Sequence, residues 1–278
     1  MAIQTKFQEK LNKITIQNNS LLCVGLDTEL EKIPEHIKNG DEPLFTFNKT
    51  VIDATADLVC AYKPNIAFYE AYGLDGLSQL KKTIEYIHVQ YAGIPVILDA
   101  KRTDVPNTAR MYAKAVYEYW DADATTVLPH LGQDTLEPFF AYNDRCTILL
   151  IKTSNPDSGK FADAKTENQK PLYLLIAETV KTWNEENLGL FVGATYPEEL
   201  ANIRKLFPTS PILTAGIGAQ GAKTESAVKA GIDSEGNNLI CNNSREIIYA
   251  GNGEDFAQEA REKAQELRDS INIYRSLA

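Results

Sequence analysis

Asp99, Lys101 and Asp104 crowd one short segment, Leu-Asp-Ala-Lys-Arg-Thr-Asp, and Lys63 stands in another, Ala-Tyr-Lys-Pro-Asn. In an extended chain residues two apart point to the same side, so Asp99 and Lys101 are expected to face one way. With Lys63 beside them, opposite charges alternate, and each neighbour favours the charged form of the next. At about 4 Å and an effective dielectric near 20, one such contact is worth on the order of 4 kcal/mol before desolvation. Such a row can hold a lysine cationic as a proton donor in a nearly dry pocket. The same spacing also describes an ion-pair network that only closes the end of a barrel.

A second group suggests an anion. Gly216, Gly218 and Gly221 in Thr-Ala-Gly-Ile-Gly-Ala-Gln-Gly let backbone N–H groups approach a phosphate, and Arg245 in Asn-Asn-Ser-Arg can add a bidentate contact. The glycines formally match the dinucleotide fingerprint, but that motif belongs after the first strand of a βαβ unit, and here it is late in the chain. His36, His88 and His130 are far apart and show no metal-ligand spacing. Cys23, Cys60, Cys146 and Cys241 form no Cys-x-x-Cys pair. Buried reduced thiols are the expected state, because most of them lie in apolar, strand-like surroundings.

These residues need elements to position them. Short apolar runs at 21–26, 58–62, 95–98, 124–128, 147–151, 188–192, 211–213 and 238–241 read as strands. Helical patterning lies between most of them. Residues 76–90 align Leu77, Leu80, Ile84 and Ile87; residues 108–120 align Met111, Ala115 and Tyr119; residues 197–207 align Leu200, Ile203 and Leu206. Continuously apolar strands alternating with helices indicate a parallel sheet buried on both faces. A single α/β domain over 1–278, a (β/α)₈ TIM barrel, fits this pattern. Residues 1–20 supply an amphipathic lead-in helix through Phe7, Leu11 and Ile14, and residues 251–278 a C-terminal helix. In such a barrel chemistry sits where the strands run out at their C-terminal ends. Those ends carry Asp27, Lys63, Asp99, Lys101, His130, Lys152, Ser154, Thr195, the glycine segment and Arg245. Residues 154–170 are too long for a tight connection and read either as a lid or as a surface insertion. Residues 231–238 read as a surface turn.

The chain has 278 residues and a formal charge of −10, with 44% hydrophobic and 24% charged residues. This is a globular composition, and the acidic balance argues against nucleic acid or an anionic membrane as partner. No apolar run reaches the roughly 18–20 residues of a membrane span, and the N-terminus lacks the pattern of a secretory signal, so a cytoplasmic location is expected.

Asp99-x-Lys101-x-x-Asp104-Val105 resembles the D-x-K-x-x-D-[IV] signature of the orotidine 5′-phosphate decarboxylase family. LCVGLDT, AYKPNIAFYEAYG, IKTSNP, FVGAT, TAGIGAQG and NNSREIIYA occur in family order, and the likeness is greatest to its longer bacterial branch. The resemblance implies a TIM-barrel homodimer that converts orotidine 5′-monophosphate to UMP and CO₂ without metal or organic cofactor. It implies that Lys101 protonates C6 of the pyrimidine, that Asp99 sits beside the departing carboxylate, and that Lys63 links Asp99 to the ribose. Asp104 is implied to complete the array from the partner subunit. Asp27 and Thr108 are implied to bind ribose hydroxyls, Thr108 also across the dimer. Ser154 is implied to meet the pyrimidine, and Gln220 and Arg245 the phosphate, with Gln220 on a closing loop. Metal-dependent sugar-phosphate relatives share a D-x-K-x-x-D stretch, but they need a further carboxylate before it, where this chain has 96–98, Val-Ile-Leu. His130 and Glu246 depart from the family pattern; an acid at 246 should weaken phosphate binding unless it points away.

Overall fold

The structure is a computed structural model that describes residues 5–218 and 221–276. Gln220 therefore lies outside the described residues. Eight parallel strands form the sheet: β1 (Leu22–Leu26), β2 (Ala61–Pro64), β3 (Ile97–Leu98), β4 (Ala124–Val127), β5 (Cys146–Lys152), β6 (Leu188–Val192), β7 (Ile212–Ala215) and β8 (Leu239–Asn243). Their order is β2-β1-β8-β7-β6-β5-β4-β3. Parallel bridges Tyr62↔Val96 and Asn65↔Asp99 join β2 to β3 and close the barrel. Nearly every strand residue is buried, as expected where side chains fill the inside and helices cover the outside.

The helices explain the rest of the apolar pattern. Gly73–Gln90 buries Leu80, Ile84 and Ile87, and Pro197–Leu206 buries Leu200 and Ile203. Phe256–Ser276 packs on the barrel through Phe256, Ala260, Ala264, Leu267 and Ile271, spaced three or four apart along one stripe. It begins later than the 251 expected from sequence. Lead-in helix Lys6–Gln17 buries Phe7, Leu11 and Ile14 and lies across the N-terminal mouth. Its Gln8 Nε2 donates to Thr209 O at 2.6 Å, and Lys10 Nζ meets Asp123 at 2.9 Å; both partners lie just before strands.

Two expectations need correcting. The apolar face of 108–120 is not Met111, Ala115 and Tyr119. The regular helix ends at Lys114, and Ala115–Tyr119 winds as a π turn. The buried stripe is Ala109, Ala113, Val116 and Tyr117, set already by Ala109 and Ala113 within the regular helix and continued through the π turn, and it leaves Met111 and Tyr119 58% and 61% exposed. The second strand is Ala61–Pro64, three residues later than its apolar run, so Lys63 lies within the strand and not after it. The run 58–60 is buried but only leads into the sheet.

Candidate active site

At the C-terminal ends of the strands a cavity of about 310 Å³ opens among Asp27, Lys63, Asp99, Lys101, Thr126 and Ser154, with Leu150, Phe191 and Leu213 as its apolar floor. A second of about 340 Å³ adjoins it and is lined by Gly216, Gly218, Ser244, Arg245 and Glu246. Asp27, Ser154, Ala215 and Asn242 border both, so the two form one elongated site with an ionic end and a glycine-rich end.

The ionic end is built around Asp99. Lys101 Nζ donates to Asp99 Oδ1 at 2.6 Å, Lys63 Nζ to Oδ2 at 3.3 Å, and Thr126 Oγ1 to Oδ1 at 2.7 Å. Burial opposes the Asp99 charge, but Lys63, Lys101 and Thr126 outweigh it and hold the carboxyl well below the usual carboxylate range. Lys63 is 5% exposed. Burial works against its charge too, yet Asp99 and Asp27 hold it above the ordinary lysine value. Asp27 Oδ1 lies 3.9 Å from Lys63 Nζ.

Lys101 does not reach Asp99 by strand alternation, as the spacing suggested. Its φ is +50°, in the left-handed region that side-chain-bearing residues seldom adopt. The Thr126 hydroxyl accepts from Lys101 N at 3.1 Å and so ties this turn to β4. Strained backbone of this kind persists only where surrounding structure enforces it, and it clusters at functional sites.

The structure brings Lys63, Asp99, Lys101, Asp27 and Ser154 into one cavity, with Gly216, Gly218 and Arg245 in its extension. Asp104 and Thr108 line neither part. Asp104 accepts from Val105 N at 2.7 Å, and Thr108 stands in the first turn of Pro106–Lys114. Arg245 is exposed and has no acidic partner among the described residues. Gly216 has φ +91°, which turns the chain sharply out of β7. Glu246 does not point away: Asn243 Nδ2 donates to it at 2.8 Å, and its carboxylate lies against Gly218, where an added Cβ would sit 3.0 Å from its oxygens. His130 is exposed, in the short 3₁₀ turn Pro129–Leu131, and lines neither cavity. All four cysteines are free and buried, and burial pushes the Cys23 thiol up to about 12. Among the described residues no group of three or more His, Cys, Asp or Glu is placed to hold a metal ion.

Several contributors were not apparent from sequence. Thr126 is the hydroxyl under Asp99. Asn242 brings to the cavity a buried oxygen with no hydrogen-bond partner among the described residues, as does Asp27, which stands among the strand-end candidates read from sequence. Three tyrosines clamp the turn that carries Asp27. Tyr69 Oη donates to Leu26 O at 2.8 Å and Tyr249 Oη to Asp27 O at 3.0 Å, while Tyr249 Oη accepts from Glu29 N and Tyr72 Oη from Leu30 N. Their signal is weak because tyrosine is ordinary on core-facing helices.

The sequence profile of a family described as "Orotidine 5'-phosphate decarboxylase / HUMPS family" matches residues 20–260. A relative from Cellvibrio japonicus named orotidine 5′-phosphate decarboxylase is 48% identical over 274 residues, covering 97% of this chain and 99% of that one. One of the same name from Christiangramia forsetii is 47% identical over 264 residues, covering 95% and 96%. The structure of Leishmania donovani OMP decarboxylase superposes with a TM-score of 0.82 at 35% identity, over 97% of this chain and 99% of that chain. The structure of UMP synthase from the same organism superposes at 0.84, over 99% of this chain and 57% of that longer one. With the barrel, the charged row and these likenesses in agreement, the chain belongs to the orotidine 5′-phosphate decarboxylase family.

Proposed function

We propose that this carboxy-lyase converts orotidine 5′-monophosphate to UMP and CO₂, the last step of UMP synthesis, without metal or organic cofactor. The observation that carries the reading is the Lys63–Asp99–Lys101 row at the ionic end of a cavity whose other end offers glycine-loop amides and Arg245. The base lies over the row and the phosphate at the glycine-rich end. Cleavage of the C6–carboxylate bond leaves its electron pair on C6. The Lys101 ammonium stabilises that charge and then gives C6 its proton, and the amine regains one from solvent. Asp99 disfavours the substrate carboxylate in the ground state and holds the Lys101 ammonium in place through their 2.6 Å contact. Lys63 joins Asp99 to the ribose, Asp27 accepts from a ribose hydroxyl, and Ser154 meets the pyrimidine. Arg245 binds the phosphate, with Gln220 closing over it. Binding energy from the phosphate, remote from C6, assembles the site. A cytoplasmic setting suits the four free thiols.

The active form is a homodimer in which the partner supplies Asp104 and Thr108. Both stand away from the cavity of their own chain, in a surface carrying exposed Val105, Met111, Leu128 and Leu131. Exposed large apolar side chains gathered near these two residues are what an interaction surface would use.

Ultraviolet-monitored consumption of orotidine 5′-monophosphate, with and without EDTA, tests the reading. Turnover indifferent to EDTA is expected. Absence of turnover by pure, folded protein sinks the assignment, and loss of turnover in EDTA assigns the chain to metal-dependent chemistry.

A further inference from the structure

Lys152, at the end of β5, takes no part in the proposed chemistry, yet its side chain is only 1% exposed. A register shift between Leu150 and Lys152 interrupts the β5–β6 pairing. Bulges re-aim side chains, and here Leu150 lines the cavity while Lys152 does not. Lys152 Nζ meets Asp163 at 2.7 Å and Glu199 at 2.6 Å, and lies 4.0 Å from the ring centre of Tyr196 and 5.3 Å from that of Tyr173. Burial works against its charge, but the two carboxylates hold it above the ordinary lysine value.

Its partners come from separate places. Asp163 ends the short helix Gly159–Ala162 in the long 154–170 segment, and Glu199 lies in the first turn of Pro197–Leu206. The ion triad therefore ties the long segment back to its own root and to the next unit of the barrel. Between root and tie stand Ser154 and Asn155, which line the cavity. Ser154 is pressed on its other side against Gly193, where an added Cβ would lie 2.8 Å from Ser154 Cα and Cβ. Gly193 N also donates to Lys152 O at 2.9 Å. Ser158 Oγ donates to Thr153 O at 2.8 Å, which folds the segment over its start. Buried ion groups are weak contributors to stability, because desolvation consumes most of the attraction, whereas well-packed apolar side chains serve as well. What such a triad supplies is geometry.

We propose that the Lys152–Asp163–Glu199 triad is a positioning device that sets Ser154 and Asn155 at the base-facing end of the cavity before substrate arrives. This makes 154–170 an anchored wall and not a freely closing lid, and it rests on the decarboxylase reading only for the identity of the base.

A double-mutant cycle tests it. Asp163 is half-exposed, so Asp163→Asn should fold. That variant is expected to lower kcat/KM about tenfold, Asp163→Glu to recover most of the loss, and Asp163→Asn to cost nothing further in a Ser154→Ala background. Amide exchange over 153–158, measured without substrate, should be faster in Asp163→Asn than in wild type. Additive losses in the cycle, or unchanged exchange, overturn the proposal. Wild-type turnover separates the two readings: if the wild type leaves orotidine 5′-monophosphate unchanged, the decarboxylase reading fails and the exchange measurement alone decides the role of the triad.

Discussion

Asp99 answers to two lysines and one hydroxyl at once, and its consequences are both chemical and thermodynamic. Lys101→Ala should lower kcat by at least about 10³-fold while circular dichroism and melting temperature stay near wild type, since Lys101 is half-exposed and its loss leaves Asp99 with Lys63 and Thr126. Asp99→Asn should abolish activity and also destabilise at neutral pH, by roughly 3 kcal/mol, because buried Lys63 loses its nearer carboxylate. The pH dependence has a definite sign. A carboxyl depressed in the folded state adds stability that is fully present above the unfolded carboxyl value, near pH 4, and is lost as pH falls toward the folded value. Urea melts from pH 6 to pH 3 should therefore show wild type and Asp99→Asn converging as pH drops. A constant gap between them would refute the linkage.

Elements rather than side chains decide whether such a row can assemble. Gly25 in β1 faces Ser244 so closely that an added Cβ would overlap the Ser244 hydroxyl, and Ser244 leads into Arg245. Gly25→Ala is expected to displace that turn, to cost about 1–3 kcal/mol, and to raise KM more than it lowers kcat. Steady-state kinetics with a thermal melt checks this. The barrel and its strand-end residues were legible in the sequence because parallel strands leave continuous apolar runs and their ends break into polar ones. What was not legible followed from local backbone geometry. Periodicity at 3.6 residues cannot foresee the π turn after Lys114, and strand alternation cannot foresee the left-handed Lys101. Thr126 reads as an ordinary β-branched strand residue, and only the fold places it under Asp99. The long segment after β5 was visible as an anomaly of length, but its tie at Asp163 is a contact between distant positions and leaves no periodic trace.

At the scale of the molecule, an acidic chain brings three cationic groups to one mouth. The net charge of −10 is spread over solvated helices, whereas Lys63, Lys101 and Arg245 converge on the elongated cavity. The proposed dimer gives the sharpest test at this scale. Asp104→Ala and Lys101→Ala proteins, each inactive alone, should regain up to about a quarter of wild-type activity when mixed as heterodimers, since one of two shared sites is then intact in half the dimers. No recovery, with heterodimers shown by native mass spectrometry, would mean that each chain completes its own site.

The lead-in helix across the N-terminal mouth also governs how the chain can be joined to others. Near the far end, Asn272 Nδ2 donates to Asn19 O at 2.7 Å and Arg275 Nε to Gly236 O at 2.6 Å, so the last helix finishes beside residues that precede β1 and β8. Both ends of the described chain thus emerge on the side away from the catalytic opening. A second catalytic unit appended to either end would hang beneath the barrel and leave substrate traffic unobstructed. The C-terminal ends of the strands, where the cavity lies, stay clear of such a join.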